Sequence, residues 1–213
     1  PDTEPVVKAT IDPLLTATSS GSNNCDPALT PDGTVTVTVT NTGAAPGPFT
    51  YQWYDGNAVG VNPLGAANNG TTVTAIKVGG PTGAPRPYTV KVLNTTTGCV
   101  NNTTQFVADN SVVPVLATTT QPNSICSPAT NFNGSMTVSV TNIPALYTIA
   151  DYTFVWYDGA TTASSHNPQP VPNTSVTLPK LDVGSYSVVG TNTKTGCVSA
   201  IATNQVANQK LIP

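Results

Sequence analysis

The chain has 213 residues, of which 38% are hydrophobic and 8% are charged, and its formal net charge is −3. Disordered chains combine low hydrophobicity with a high net charge, so this composition indicates a folded protein. The seven basic residues include a single arginine, Arg86, and no stretch gathers them into the cationic face that nucleic acids require. No apolar run approaches the length of a helix that crosses a membrane.

The residue types favour an all-β protein. Valine dominates the apolar residues, and threonine, asparagine and serine fill most polar positions. Valine and threonine are branched at Cβ and suit the pleated, half-buried surface of a strand. Twenty prolines and seventeen glycines interrupt the chain too often for long helices.

One sequence unit occurs twice. The segment TYQWYDG at Thr50–Gly56 returns as TFVWYDG at Thr153–Gly159. The segment YTVKVLNTTTGCV at Tyr88–Val100 returns as YSVVGTNTKTGCV at Tyr186–Val198. A period of about 100 residues is typical of whole domains in tandem, because solenoid repeats are only about 20–50 residues long.

Each repeat carries the period of two that half-buried strands require. We predict two tandem immunoglobulin-like antiparallel β-sandwiches, repeat 1 at residues 1–110 and repeat 2 at residues 111–213, with about six or seven strands each. Alternation places Val35, Val37 and Val39 on one face of an early strand. In the later strands, the predicted core residues of the two repeats are Trp53, Tyr88, Trp156 and Tyr186.

The four cysteines are predicted to form structural disulfides in an oxidising compartment. None lies in a C-x-x-C pair, so we expect no metal site, with metal or thiol chemistry as the alternative. Cys25 and Cys126 hold one equivalent position in the two repeats, and Cys99 and Cys197 hold another. We therefore predict one disulfide within each repeat, Cys25–Cys99 and Cys126–Cys197. Each would tie the loop after the opening strand to the turn before the closing strand, at one end of the sandwich.

A longer motif carries a family resemblance. In repeat 2 it consists of Cys126, Asn133, Gly134, Trp156–Gly159, Gly184, Tyr186 and Thr195–Cys197. Repeat 1 has Cys25, Trp53–Gly56, Tyr88 and Thr97–Cys99, and replaces Asn-Gly by Asp32-Gly33. This pattern resembles the SprB-like and PKD-like immunoglobulin-type repeats of giant secreted surface adhesins in Bacteroidota. The resemblance implies a stalk or adhesive segment of a long cell-surface polypeptide, associated with gliding motility or surface attachment.

Single residues suggest further sites, each with an ordinary structural alternative. Asp55 and Asp158 follow the Trp-Tyr pairs and are interpreted as turn residues, with calcium binding as the alternative, although calcium usually takes clustered carboxylates. His166 is the only histidine and is interpreted as a loop residue.

The aromatic pairs and one loop are candidate contact surfaces. Period two places the tryptophans in the core, although they could instead form a sugar-stacking platform. Tyr54 and Tyr157 point the other way and are the better candidates for surface contact. The loop Gly79–Pro87 is longer in repeat 1 and holds the arginine; we interpret it as a tolerated insertion, with a functional loop as the alternative.

The function predicted from sequence is a structural and adhesive repeat of an extracellular or cell-surface filament or adhesin, acting as a stalk under tension. Its expected partners are neighbouring repeats, cell-surface glycans or other protein subunits. One alternative is a carbohydrate-binding module. Another is a filament subunit that exchanges terminal strands through Pro5–Thr18. An enzyme is the least favoured class because no acid–base pair stands out, and no cofactor is expected.

Overall fold

The computed structural model describes residues 11–25, 31–42, 44–45, 47–76, 85–127, 129–166 and 172–211. The chain divides into two compact units. Unit 2 consists of Ser111–Pro213 together with the short segment that contains Asn24 and Cys25, and unit 1 consists of the rest of the chain up to Asn110. The segment with Cys25 therefore belongs to repeat 1 in sequence and groups with unit 2 in space.

Unit 1 is a sandwich of two three-stranded antiparallel sheets. One sheet has the order β1-β2-β4 and the other has the order β3-β5-β6. The strands are β1 (Leu15–Ser20), β2 (Gly33–Val39), β3 (Phe49–Asp55), β4 (Thr72–Ile76), β5 (Arg86–Asn94) and β6 (Val100–Val107).

Unit 2 repeats the same architecture. Its sheets have the orders β7-β8-β10 and β9-β11-β12, again antiparallel throughout. The strands are β7 (Leu116–Gln121), β8 (Gly134–Val140), β9 (Tyr152–Asp158), β10 (Thr177–Leu181), β11 (Gly184–Asn192) and β12 (Ala202–Val206). Three short 3-10 segments, at Ala66–Asn68, Ala129–Asn131 and Ile149–Asp151, complete the regular structure of the described residues.

Alternation along the strands builds one apolar core in each unit. On β2, Val35 and Val37 are buried while the threonines between them are not. The fully buried members of the first core are Val35, Trp53, Val90, Val92 and Val107. The second core centres on Met136, Phe154, Leu178, Val188 and Val206. The predicted all-β fold of two immunoglobulin-like sandwiches is thus confirmed by the strand pairing and the two cores.

Both units break the strict alternation at one equivalent place. Ala75 on β4 and Lys180 on β10 have positive φ angles of 57° and 59°. The extra residue bulges the strand, so Ile76 and Leu181 turn inward with 3% and 1% exposure. Ala75 itself is exposed, because the bulge rotates the strand by one position.

Candidate functional site

The two cysteines of repeat 1 lie at opposite ends of its sandwich. Strand β6 begins at Val100, directly after Cys99, and ends at Val107. Just beyond that far end, Ser22 pairs with Asp109, and Cys25 follows three residues later. We call these the second-cysteine end and the first-cysteine end. An eight-residue strand separates them by about 25 Å.

The course of unit 1 explains this separation. Strand β3 ends at Asp55, which pairs with Tyr88 near the first-cysteine end. Strand β4 starts at Thr72, which pairs with Thr36 in the middle of β2, and reaches the first-cysteine end at Ile76, which pairs with Gly33. Residues 56–71 therefore run back along the sandwich without forming a strand. This extra crossing puts Cys25 and Cys99 at different ends.

The structure pairs Cys25 with Cys197, with Cα atoms 4.8 Å apart, and leaves Cys99 and Cys126 as free thiols. The predicted pairs Cys25–Cys99 and Cys126–Cys197 are therefore wrong. Three residues from Ser22 reach at most about 10 Å, which is too short for Cys25 to meet a cysteine at the far end. Disulfides need Cα atoms within about 7 Å. The bond instead links the first cysteine of repeat 1 to the second cysteine of repeat 2.

A tight turn presents Cys197. The Asn192 side chain, 2% exposed, accepts backbone N–H groups from Lys194 and Thr195 at 2.9 and 3.3 Å. Gly196 follows with φ 66°, a conformation that glycine adopts without strain. The backbone N–H of Asn192 donates to the carbonyl of Cys197 at 2.9 Å and closes the turn. Next to the disulfide, the N–H of Cys25 donates to the carbonyl of Thr195 at 2.7 Å.

The equivalent turn in unit 1 has the same bonds. The fully buried Asn94 accepts N–H groups from Thr96 and Thr97 at 2.9 and 3.1 Å. Its own N–H donates to the carbonyl of Cys99 at 2.9 Å, and Gly98 has φ 75°. Cys99 is 8% exposed. The motif N-x-x-T-G-C thus builds a cysteine-presenting turn in both units.

A second shared device holds the first cysteines. In repeat 1, Asp32 accepts the hydroxyl of Ser22 at 2.7 Å and the N–H of Asn23 at 2.8 Å. Burial, the largest single contribution, raises the pKa of Asp32, but the hydrogen bonds from Asn23 and Ser22 together outweigh it and hold the pKa below its usual range. In repeat 2, Asn133 takes the place of Asp32 and accepts the N–H of Ser124 at 2.9 Å. The arm that carries each first cysteine is therefore anchored in the same way.

The predicted aromatic core residues lie in the sandwiches. Trp53 is fully buried, and Trp156, Tyr88 and Tyr186 are 5%, 3% and 9% exposed. Burial, reinforced by the nearby Asp55 carboxylate, raises the pKa of Tyr88 to about 12. Burial likewise raises the pKa of Tyr186. These four side chains pack in the apolar cores of the two units.

The residues proposed for surface contact do not form a platform. Tyr54 is 9% exposed, so the prediction that it faces solvent is wrong. Pro63, in the strandless segment of residues 56–71, pairs with Tyr54 on β3. Tyr157 is half-buried. Of all the aromatic side chains, each in the described part of the chain, Phe106 alone is exposed, at 52%.

The two turn aspartates are partnered differently. Asp55 forms a bidentate ion pair with Arg86, with Nε to Oδ1 at 2.8 Å, and this bond raises the pKa of the arginine. Asp158 lies 2.6 Å from Nδ1 of His166. Among the described residues, no group of three or more histidine, cysteine or acidic side chains is arranged to hold a metal ion. Residues 79–84 of the Gly79–Pro87 loop and residues 5–10 of the Pro5–Thr18 segment lie outside the described residues.

Comparisons with known proteins show likeness at the level of solved structures. No family model matches the sequence, and no curated protein matches it. Three N-terminal domains of the highly immunogenic outer capsid protein (Hoc) of bacteriophage RB49 share 16% identity, with a TM-score of 0.46, over 92% of this chain and 59% of that chain. Fibronectin(III)-like modules of Clostridium thermocellum CbhA share 14% identity, with a TM-score of 0.30, over 94% of this chain and 97% of that chain. This chain thus spans less than two thirds of the phage structure's length.

The fold and the cysteines together define a tandem-repeat β-sandwich protein stabilised by a disulfide. Within the described parts of the chain, no helix has both the length and the hydropathy needed to cross a membrane.

The cysteine pairing predicts a specific thiol pattern. Alkylation of the native protein, followed by unreduced peptide mapping, should recover Cys25–Cys197 as a linked peptide. Cys99 and Cys126 should carry the alkyl label, with Cys126 labelled first because it is exposed while Cys99 is buried. A Cys25–Cys99 peptide would contradict the placement of the two cysteines at opposite ends of one sandwich.

Proposed function

We propose that this chain is a structural and adhesive repeat segment of an extracellular bacterial surface polypeptide, serving as a stalk that carries tension. The observation that carries the proposal is the Cys25–Cys197 disulfide. It links the start of one repeat to the end of the next across a sequence separation of 172 residues. The bond covalently joins a cysteine of the first sequence repeat to a cysteine of the second.

The cysteine chemistry supports an extracellular location. Disulfides persist in secreted and cell-surface proteins and are rare where glutathione keeps thiols reduced. The polar residues fit the same setting, since the solvent faces of the strands carry threonine and serine and few charges. The disulfide thus supports the proposed location outside the cell.

The distribution of aromatic side chains favours a structural role over carbohydrate binding. A sugar-stacking platform needs a row of exposed rings on one sheet, and here both tryptophans are in the cores. Phe106 is the one exposed ring, since every other aromatic side chain, each in the described part of the chain, is buried or half-buried.

Protease shaving of intact source cells tests the location. An antibody against the chain should detect it on untreated cells, and external protease should remove the signal while a cytoplasmic marker stays intact. Protection of the chain until the cells are lysed would contradict the proposal. A glycan array separates the adhesive stalk from the carbohydrate module, because specific sugar binding lost in a Phe106→Ala variant would favour the module.

A further inference from the structure

We propose that Cys126 and Cys99 each form a disulfide with a cysteine of another repeat, as Cys25 does with Cys197. Cys126 would bond the second-cysteine turn of a following repeat, and Cys99 would bond the first cysteine of a preceding repeat. The partner is another repeat of this kind, whether in the same polypeptide or in a second copy of the chain. The inference rests on the proposed function in assuming that more such repeats are present.

Pairing within a repeat is excluded by the sandwich. In unit 2, Cys126 follows Asn123, which pairs with Asn208 beyond the end of β12. Cys197 precedes β12, at the other end of that strand. The strand separates the two positions, as β6 separates Cys25 from Cys99. A first cysteine therefore finds its partner in a different repeat, as Cys25 does.

Cys126 is presented in the same way as Cys25. In repeat 1, the N–H of Ser22 donates to Ala108 at 3.0 Å, and the N–H of Asn110 donates to Ser22 at 2.8 Å. In repeat 2, Asn123 makes the corresponding bonds to Ala207 and from Gln209 at 3.0 and 2.9 Å. Each cysteine lies three residues beyond its anchor. The segment that carries Cys126 is thus anchored in the same way as the segment that carries Cys25, but Cys126 is an exposed free thiol.

Cys99 is presented in the same way as Cys197. Both turns hold their cysteine with a buried asparagine, and Cys99 N–H donates to the Thr97 hydroxyl at 3.3 Å as Cys197 N–H does to Thr195 at 3.4 Å. The carbonyl of Thr195 receives the N–H of the incoming Cys25. Thr97 holds the equivalent position, so the turn of unit 1 offers the same docking bond to a preceding arm.

The chemistry is thiol–disulfide exchange. A low-molecular-weight disulfide, such as oxidised glutathione, is attacked by the Cys126 thiolate, which gives a mixed disulfide and releases one glutathione thiolate. The Cys99 thiolate of the partner then attacks the Cys126 sulfur and releases the second. The two protein thiols lose two protons and two electrons in total, and the glutathione disulfide gains them.

Complementary single variants of the full chain test the pairing. Cys99→Ser keeps Cys126, Cys126→Ser keeps Cys99, and both retain Cys25 and Cys197. One variant is isotopically labelled, and the two are mixed at equal concentration in a glutathione redox buffer. We expect a disulfide-linked heterodimer with a Cys126–Cys99 peptide, in at least tenfold excess over either self-dimer.

The control moves the exposed thiol elsewhere. Thr162→Cys in a Cys99→Ser, Cys126→Ser background carries an exposed cysteine on a turn of unit 2. It should give no heterodimer preference with Cys126→Ser. A statistical mixture of dimers, predominant Cys126–Cys126 linkage, or equal reaction of the control would each overturn the proposal. If shaving places the protein outside the cell while these variants fail to pair, the proposed function stands and this inference alone falls.

Discussion

Pulled from its two ends, the oxidised chain is expected to release only a small part of its length, and the reduced chain nearly all of it. Force enters at the first residue, passes through the Cys25–Cys197 bond and leaves at the last. The sequence separation of 172 residues, at about 3.5 Å per residue, keeps about 600 Å of chain out of the force path. Single-molecule extension with and without reductant measures this difference.

Strands β1 and β12 are expected to separate first when the oxidised chain is pulled. Strand β1 precedes Cys25 and strand β12 follows Cys197, so these two lie between the pulling points and the disulfide. Each is paired within its own unit, β1 with β2 and β12 with β11. Oxidised traces should therefore contain short steps from peeling of these strands. Reduced traces should contain two long steps, one from each sandwich.

Variants separate the bond from other effects of reductant. Cys25→Ser should reproduce the reduced trace without reductant, whereas Cys99→Ser should leave the oxidised trace unchanged because Cys99 is a free thiol. The chain-entropy model gives about 5 kcal/mol of stabilisation for a closed loop of this length. Equal extension in both redox states, or an effect of Cys99→Ser equal to that of Cys25→Ser, would contradict the Cys25–Cys197 assignment.

The alternating side chains were sufficient to predict the strands and the core. Val35 and Val37, and likewise Trp53, could be placed inward because a period of two has one buried face. The duplicated WYDG and TGC segments fixed the number of sandwiches. The strands and their buried faces follow from the order of side chains within each segment, so predicting them does not require the direction of each strand.

The disulfide pairing could not be predicted, because it depends on the number of times the chain crosses the sandwich. In the described residues between Cys25 and Cys99 there are four strands, and simple alternation would return the two cysteines to one end. Residues 56–71 run back along the sandwich without forming a strand. This fifth crossing puts the two cysteines at opposite ends. The same limitation applies to the bulges at Ala75 and Lys180, where residues with ordinary strand or helix preferences adopt positive φ. Tyr54 is buried instead of exposed because Pro63, within residues 56–71, pairs with it beside β3.

Trp53→Ala and Trp156→Ala should each destabilise their own unit by about 3–5 kcal/mol, the usual cost of deleting a buried aromatic side chain. Both indoles are at least 95% buried in the cores. Calorimetry should show one transition lowered and the other unchanged in each variant. Phe106→Ala, which removes a side chain that is 52% exposed, is the matched control and should cost less than about 1 kcal/mol.

Replacement by phenylalanine should distinguish the two sites. The Trp53 indole N–H donates to the carbonyl of Gly70 at 2.9 Å, so Trp53→Phe loses a hydrogen bond as well as contact area. The Trp156 indole nitrogen is buried and has no acceptor among the described residues. Leaving such a donor unpaired costs about 1–3 kcal/mol, and Trp156→Phe removes that penalty. We therefore expect Trp156→Phe to be the milder change by about 1–2 kcal/mol in the unfolding free energy of its unit. An equal or larger loss at Trp156 would mean that its indole N–H is hydrogen-bonded after all.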